Sequence, residues 1–268
     1  MRIYINEREK KIREDVSLFE LKEIIKPNAD IVIYNGFPVN EDRKLKENDS
    51  VVFIEKGKIP SQKQLESLLV SRHTPGVHNR IKKAVVGIAG AGGLGSNVAI
   101  SLTRMGLGKL IIVDYDVVEP SNLNRQQYFI NQIGMLKVKA LQDTLKKINP
   151  FVEIETYSEK IEESNIDKFF KNCDVIVEAF DKAEEKQMLI NYILNNTEKY
   201  IVAGSGMAGY GPNNNIVTRK IGKLFICGDG ESEAKPGKGL MAPRVGICAN
   251  HQANQVVRIL LNEQKEDD

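Results

Sequence analysis

Val85-Val86-Gly87-Ile88 runs directly into Gly90-Ala91-Gly92-Gly93-Leu94-Gly95, and Leu94 opens an apolar-periodic stretch of helical spacing. A strand, a glycine turn and a helix in immediate succession constrain the chain to an open α/β sheet whose first turn can approach a phosphate. Gly90 permits the tight turn, Gly92 lets the backbone come close to phosphate, and Gly95 lets helix and strand pack closely. The helix start offers free N–H groups and a positive dipole end to anionic oxygens. Asp114 closes the next strand, nineteen residues after Gly95, where a carboxylate can accept hydrogen bonds from ribose hydroxyls.

A cofactor's pyrophosphate needs only cradling, and this chain offers more. Ser121-Asn122-Leu123-Asn124-Arg125-Gln126 follows Asp114, with Arg125 eleven residues beyond it and Lys137 twelve beyond Arg125. These add cations where charge builds up in phosphoryl chemistry, which shifts the reading from a redox enzyme toward an ATP-using one. For Lys137, ligand contact at the C-terminal edge of the sheet and a solvated helix start both stay open. Asp181 follows the apolar run 175–178 and emerges at the same edge. A carboxylate there could hold Mg²⁺ or cap the next helix, and the pattern does not separate the two.

The rest of the chain divides by texture. Residues 1–57 read as two strands, a helix opened by the capping box Ser17-Leu18-Phe19-Glu20, and two more strands, the plan of a small α+β, ubiquitin-like β-grasp module. Residues 58–81 form a connector with a helix from about 61 to 70. From residue 82 to 268 apolar strands alternate with helical segments, which predicts a Rossmann-like, mostly parallel sheet. The strands are expected at 84–89, 110–113, 152–157, 175–178 and 201–203, the helices near 94–105, 137–148, 184–194 and 244–261, and a hairpin at 216–226.

With 38 basic against 36 acidic side chains and a net charge of +2, no global basic field favours nucleic acid. No apolar run approaches the length that spans a bilayer, and no signal-peptide core opens the chain. Three scattered cysteines make no disulfide framework, which predicts a cytoplasmic protein. Four thiolates cannot be assembled from three cysteines, so no structural zinc is expected within one chain.

Gly-Ala-Gly-Gly-Leu-Gly, Asp114-Tyr115-Asp116, the Asn122–Gln126 motif, Lys137 and Asp181 together resemble the adenylation domain of ubiquitin-activating-type enzymes. Within them the chain is most similar to the sulfur carrier protein adenylyltransferases of thiamine biosynthesis, over residues 60 to 262. The module at 1–57 resembles a thiamine-type sulfur carrier. The resemblance implies ATP- and Mg²⁺-dependent adenylylation of the C-terminal glycine carboxylate of a small β-grasp carrier ending in Gly-Gly, by a homodimer, with no nucleic acid or membrane involved. It implies nucleotide contacts from Gly90, Gly92, Gly93, Gly95, Asp114, Asp116, Asn122, Arg125, Gln126 and Lys137. Asp181 would hold Mg²⁺, and an arginine would arrive from the partner subunit, with Arg72 the candidate and Arg80 second. The chemistry needs no general base, so His73, His78 and His251 are expected to be structural or exposed.

The chain also departs from that pattern. Some relatives use a cysteine after adenylation. Cys227, read as lying in a flexible loop beside Gly228-Asp229-Gly230, is the candidate here, while Cys173 and Cys248 read as packing residues. The fused module has no free Gly-Gly carboxylate, because residues 55–58 continue into the chain, so it is expected to act as a docking or dimer-stabilising element. A non-catalytic carrier-binding scaffold, a tRNA-modifying dehydratase of the same fold and a nicotinamide-dependent oxidoreductase are the competing readings.

Overall fold

Two sheets organise the chain, each formed where apolar alternation meets a turn that the backbone can make. A computed structural model describes residues 1–72 and 76–263. It divides into two units, Met1–His78 and Asn79–Asp268.

In the first unit β1 (Arg2–Ile5) folds back on β2 (Arg8–Lys11) through Asn6 and Glu7, whose φ values are 48° and 63°. Ser17 caps α1 (Leu18–Ile25): its hydroxyl accepts the Glu20 N–H while the Glu20 carboxylate accepts the Ser17 N–H. Next come β3 (Ile31–Tyr34), β4 (Phe37–Val39) and β5 (Ser50–Ile54), and α2 (Gln62–Arg72) follows them. The sheet order is β2-β1-β5-β3-β4, with β1 and β5 parallel at its centre. Ile3, Leu18, Leu21, Val51 and Phe53 fill the space between sheet and helix.

Two details depart from expectation. The second strand, expected over residues 10–13 after a turn at Asn6-Glu7, spans Arg8–Lys11, because the turn needs only Asn6 and Glu7. Strand β4 was not foreseen, since Pro38 argues against a strand. Here Pro38 sits on an edge strand, where a missing N–H is tolerated, and Asn35-Gly36 turns tightly with positive φ at both residues.

The second unit opens near α3 (Val77–Ile81). Strands β6 (Val85–Ala89), β7 (Lys109–Val113) and β8 (Glu153–Tyr157) alternate with α4 (Gly93–Arg104) and α5 (Lys137–Ile148). The chain continues through α6 (Ile166–Phe170), β9 (Val175–Glu178), α7 (Ala183–Asn196), β10 (Tyr200–Gly204), the hairpin β11 (Val217–Ile221) and β12 (Leu224–Gly228), and α8 (Ala242–Leu261). The seven strands run β11-β12-β10-β9-β6-β7-β8, all parallel to their neighbours except β11, which pairs antiparallel with β12. Helix α6 escaped the sequence reading because five residues are too few to show a helical period.

Alternation along the parallel strands serves both faces of the sheet. Ile111, Val113, Ile176 and Ile201 join Phe169, Phe170, Leu189 and Ile193 of α6 and α7 on one face. Val86, Ile88, Leu110, Ile112, Val175 and Val202 are fully buried and point to the other face, where α4 packs on α8 and on α5. The chain builds outward from β6 through β7 to β8, then returns to lay β9 on the opposite side of β6. The reversal point lies between β6 and β9, where open α/β sheets form their ligand crevice. No described helix is long and apolar enough to cross a membrane.

Gly95 is fixed by this geometry, because a Cβ there would lie 1.9 Å from the Gly90 carbonyl oxygen. Gly95→Ala should lower the unfolding free energy by about 1–3 kcal/mol, read from urea denaturation. An unchanged midpoint would show that the glycine turn yields more easily than its packing indicates.

Candidate functional site

Gly90 leaves β6 at φ +97°, and a Cβ at this position would sit 2.8 Å from the Ala179 carbonyl oxygen at the end of β9. The peptide units that follow are pinned on both sides. The Ala91 N–H donates to Asp114 Oδ2 at 2.6 Å, and the Ala91 carbonyl accepts the Tyr128 hydroxyl at 2.6 Å. Gly92 is the N-cap of α4 and offers no side-chain cap, so the first-turn N–H groups stay available to an anion.

Asp114 joins this turn to the next strand. Its second oxygen, Oδ1, accepts the Asp116 N–H at 2.8 Å, and Asp116 Oδ2 in turn pairs with Lys137 Nζ at 2.7 Å. The Lys137 N–H donates to the Asp116 carbonyl at 2.9 Å. Lys137 is the first residue of α5 and only 7% exposed, so a cation sits at the positive end of a helix with one carboxylate beside it. Burial pushes the Asp114 carboxyl above its ordinary value, against the pull of the Ala91 N–H and the Lys137 ammonium.

The long connection between β7 and α5 is held against α4. The Asn97 amide donates to the Arg125 carbonyl at 3.3 Å, and the Ser96 hydroxyl accepts the Gln127 N–H at 3.1 Å. The Arg125 methylenes consequently lie beside Gly93, and the guanidinium donates only to neutral oxygens, the Ser121 carbonyl and Asn124 Oδ1. Gln126 is buried at 7% exposure, with its Oε1 unpaired.

One cavity of about 730 Å³ collects Gly90, Gly92, Gly93, Asp114, Asp116, Arg125, Gln126, Lys137 and Asp181. Its wall also includes Val113, Ile161, Phe180 and Ile190, an apolar surface suited to a base. Three cationic side chains, Arg125, Lys137 and Lys186, face six carboxylates around the lining, so a polyanionic ligand would need further positive charge.

Three of the residues singled out by sequence, Gly95, Asn122 and Arg80, do not line this cavity. Gly95 is buried in the first turn of α4, and Asn122 turns inward to accept the Glu119 N–H at 2.9 Å. Arg72 ends α2, and its side chain lies outside the described residues, as does His73. Arg80 donates to the Leu261 carbonyl at 2.7 Å. His78 is buried, and His251 meets the Thr218 hydroxyl at 3.2 Å; neither lines the cavity. Asp181 is exposed on the cavity wall, while Lys182 occupies the α7 cap position without a side-chain cap bond.

Cys227 requires a correction. It lies inside β12 with no solvent exposure, not in a flexible loop, and burial pushes its thiol up to about 11 despite a contact with the Thr218 hydroxyl. Cys173 and Cys248 are also buried, and burial pushes each up to about 12. Nucleophilic thiol chemistry needs a reachable thiolate, and no cysteine here supplies one.

Sequence reasoning passed over Tyr128 and the Glu178–Lys186 ion pair. Glu178 is fully buried at the end of β9, and Lys186, which lines the cavity, bonds to its carboxylate. A charged residue closing an otherwise apolar strand was the available signal. Asp229 and the buried Arg244 form a second, partly buried pair at 2.6 Å. Against the opposing effect of burial, the N–H and hydroxyl of Ser232, the Glu231 N–H and the Arg244 guanidinium hold Asp229 well below the usual carboxylate range. Arg244 also donates to the Gly211 and Pro212 carbonyls, which fixes the segment after β10 beside the cavity.

Two measurements follow from these contacts. Tyr128→Phe leaves the Ala91 carbonyl unpaired and should lower stability by about 1–3 kcal/mol while weakening ATP binding; unchanged values of both would remove Tyr128 from the turn. An aromatic disulfide reagent should find none of the three thiols reactive in the native chain and all three in denaturant.

The sequence matches the ThiF family over residues 65–268 and the ThiS-like ubiquitin family over residues 1–57. It is 31% identical over 190 residues to the adenylyltransferase and sulfurtransferase UBA4 of Candida glabrata, covering 68% of this chain and 43% of that protein. It is 35% identical over 185 residues to ubiquitin-like modifier-activating enzyme 5 of Caenorhabditis elegans, covering 64% of this chain and 44% of that one. The chain thus spans less than half the length of these curated relatives. The fold is shared with the Escherichia coli tRNA N6-threonylcarbamoyladenosine dehydratase TcdA, solved with ATP, at a TM-score of 0.69 and 17% identity over 79% of this chain and 100% of that one. With the parallel sheet, the glycine turn at its reversal point and these matches in hand, the chain belongs to the ThiF family and carries a ThiS-like domain at its N-terminus.

Proposed function

We propose that the chain adenylylates the C-terminal glycine carboxylate of a small β-grasp sulfur carrier of the thiamine type, using ATP and releasing pyrophosphate. The observation that carries this reading is the single cavity joining the glycine turn, Asp114, Arg125, Lys137 and Asp181. The ThiS-like module and the names of the relatives, adenylyltransferase and modifier-activating enzyme, support a carrier protein as the acceptor.

The residues fit ATP as substrate. The apolar wall receives the base, Asp114 accepts from the ribose, and the α4 N-terminus, Arg125 and Lys137 meet the phosphates. One carboxylate, Asp181, stands free of helix capping at the cavity wall, a hard oxygen donor of the kind that would hold Mg²⁺. Bound there, Mg²⁺ would neutralise phosphate charge that the acidic lining otherwise opposes. Residues 1–57, 58–81 and 82–268 serve as carrier-like module, connector and adenylation domain of a cytoplasmic homodimer, in which Arg72 of the partner subunit supplies a further cation.

In the reaction a carrier carboxylate oxygen bonds to the α-phosphorus as the bond to the β-phosphate oxygen breaks, and pyrophosphate leaves with that electron pair. No proton moves, so positioning and charge neutralisation account for the catalysis. Lys137 exchanges its Asp116 contact for phosphate, and Arg125 gives up neutral partners, which costs little. The N-terminal module cannot be the substrate while residue 57 continues into the chain.

ATP–pyrophosphate exchange should require both Mg²⁺ and a carrier ending in Gly-Gly, and Arg125→Ala should cut it by about 10²–10³ with the fold intact. Near-normal exchange in that variant would remove Arg125 from the chemistry. ATP binding without carrier-dependent exchange would favour a scaffold.

A further inference from the structure

Glu178 closes β9 with its carboxylate wholly removed from solvent, directly behind the turn that presents Asp181 to the cavity. Its Oε1 accepts the Phe180 N–H at 2.8 Å, and its Oε2 takes the Lys186 ammonium. The same ammonium donates to the Gly204 carbonyl at 2.9 Å, at the end of β10. From α8, the Gln252 amide donates to the carbonyls of Glu178 at 3.0 Å and Val202 at 3.2 Å. These bonds tie the ends of β9 and β10 to the first turns of α7, and Asp181 lies inside the loop they close.

The loop starts from the Ala179 N–H, which donates to the Ala89 carbonyl at 2.9 Å, and beyond it the Glu178 carboxylate holds the Phe180 N–H. The α7 cap residue, Lys182, makes no side-chain cap bond, and the Asp181 side chain is exposed. A buried ion pair is a poor means of holding a fold, since well-packed apolar residues of similar volume serve as well or better. What the charges add is direction. The Phe180 peptide is held toward Glu178, so the next residue leaves the turn on the cavity side.

We propose that the Glu178–Lys186 ion pair is a positioning device that sets the Asp181 carboxylate to meet a phosphate-bound Mg²⁺. The proposal rests on the nucleotide reading of the cavity. Both residues act through the turn between them: Glu178 orients it, and Lys186 neutralises Glu178 while anchoring it to β10.

The test is a calorimetric titration of the full chain with ATP, in Mg²⁺ and in EDTA, alongside the Mg²⁺ dependence of carrier-dependent exchange. Lys186→Met should raise the KM for Mg²⁺ about 10-fold or more and remove most of the Mg²⁺ enhancement of ATP affinity, the loss of affinity in Mg²⁺ clearly exceeding the loss in EDTA. Lys186→Arg, which keeps the charge and the donors, should restore both. Equal loss of affinity in the two buffers, or an unchanged Mg²⁺ requirement, would overturn the proposal. Should Lys186→Met fail to fold, the double variant Glu178→Leu, Lys186→Met leaves no buried charge unpaired, and a wild-type Mg²⁺ requirement in that protein would overturn it equally. Wild-type chain that binds ATP identically in both buffers overturns the proposal but leaves the nucleotide reading standing. Wild-type chain that binds no ATP overturns the nucleotide reading and the proposal together.

Discussion

The carboxylate of Asp114 is the joint on which the site depends. One oxygen fixes the glycine turn through the Ala91 N–H, and the other fixes the start of the β7–α5 connection through the Asp116 N–H. Asp116 then holds Lys137 by both its side chain and its carbonyl. A single acidic group at the end of β7 therefore sets the spacing between a helix N-terminus and a cation, the two elements that a phosphate chain must meet together. Tyr128 completes the restraint from the opposite side of the same turn.

The electrostatics explain why such restraint matters. Six carboxylates and three cations line the cavity, so its attraction for a polyanion comes from placement and not from net charge. Lys137 and Lys186 are each matched to one acid, and Arg125 rests on neutral oxygens. In the proposed function, a ligand that displaces Asp116 from Lys137 and recruits Arg125 would turn this acidic lining into a binding surface, and Mg²⁺ or a cation from a second subunit would supply the remainder.

Much of this was legible in the residues. The glycine turn, Asp114 and the strands flanking them are encoded locally, because a φ of +97° at Gly90 and a close Gly90–Gly95 approach need glycine whatever the rest of the chain does. The parallel sheet was readable from apolar runs buried on both faces. What escaped was long-range or brief. Pro38 hid an edge strand, five residues of α6 were too few for a period, and the Glu178–Lys186 pair emerges only when α7 folds back on β9. Cys227 misled for the opposite reason: three glycine-rich residues after it suggested a loop, while β10 on one side and β11 on the other draw it into the sheet. Asn122 likewise sits where its motif predicts, yet its side chain builds the loop that carries Arg125.

The most direct test of the account is intact mass measurement of a Gly-Gly-ending carrier incubated with the chain, Mg²⁺ and ATP labelled separately at the α- and γ-phosphates. Attack at the α-phosphorus predicts a carrier heavier by one adenylyl group (AMP less water), retaining the α label, with the γ label found in pyrophosphate. A carrier that stays unmodified while ATP is cleaved to ADP, or one that gains a γ-labelled phosphoryl group, would contradict adenylylation at this site.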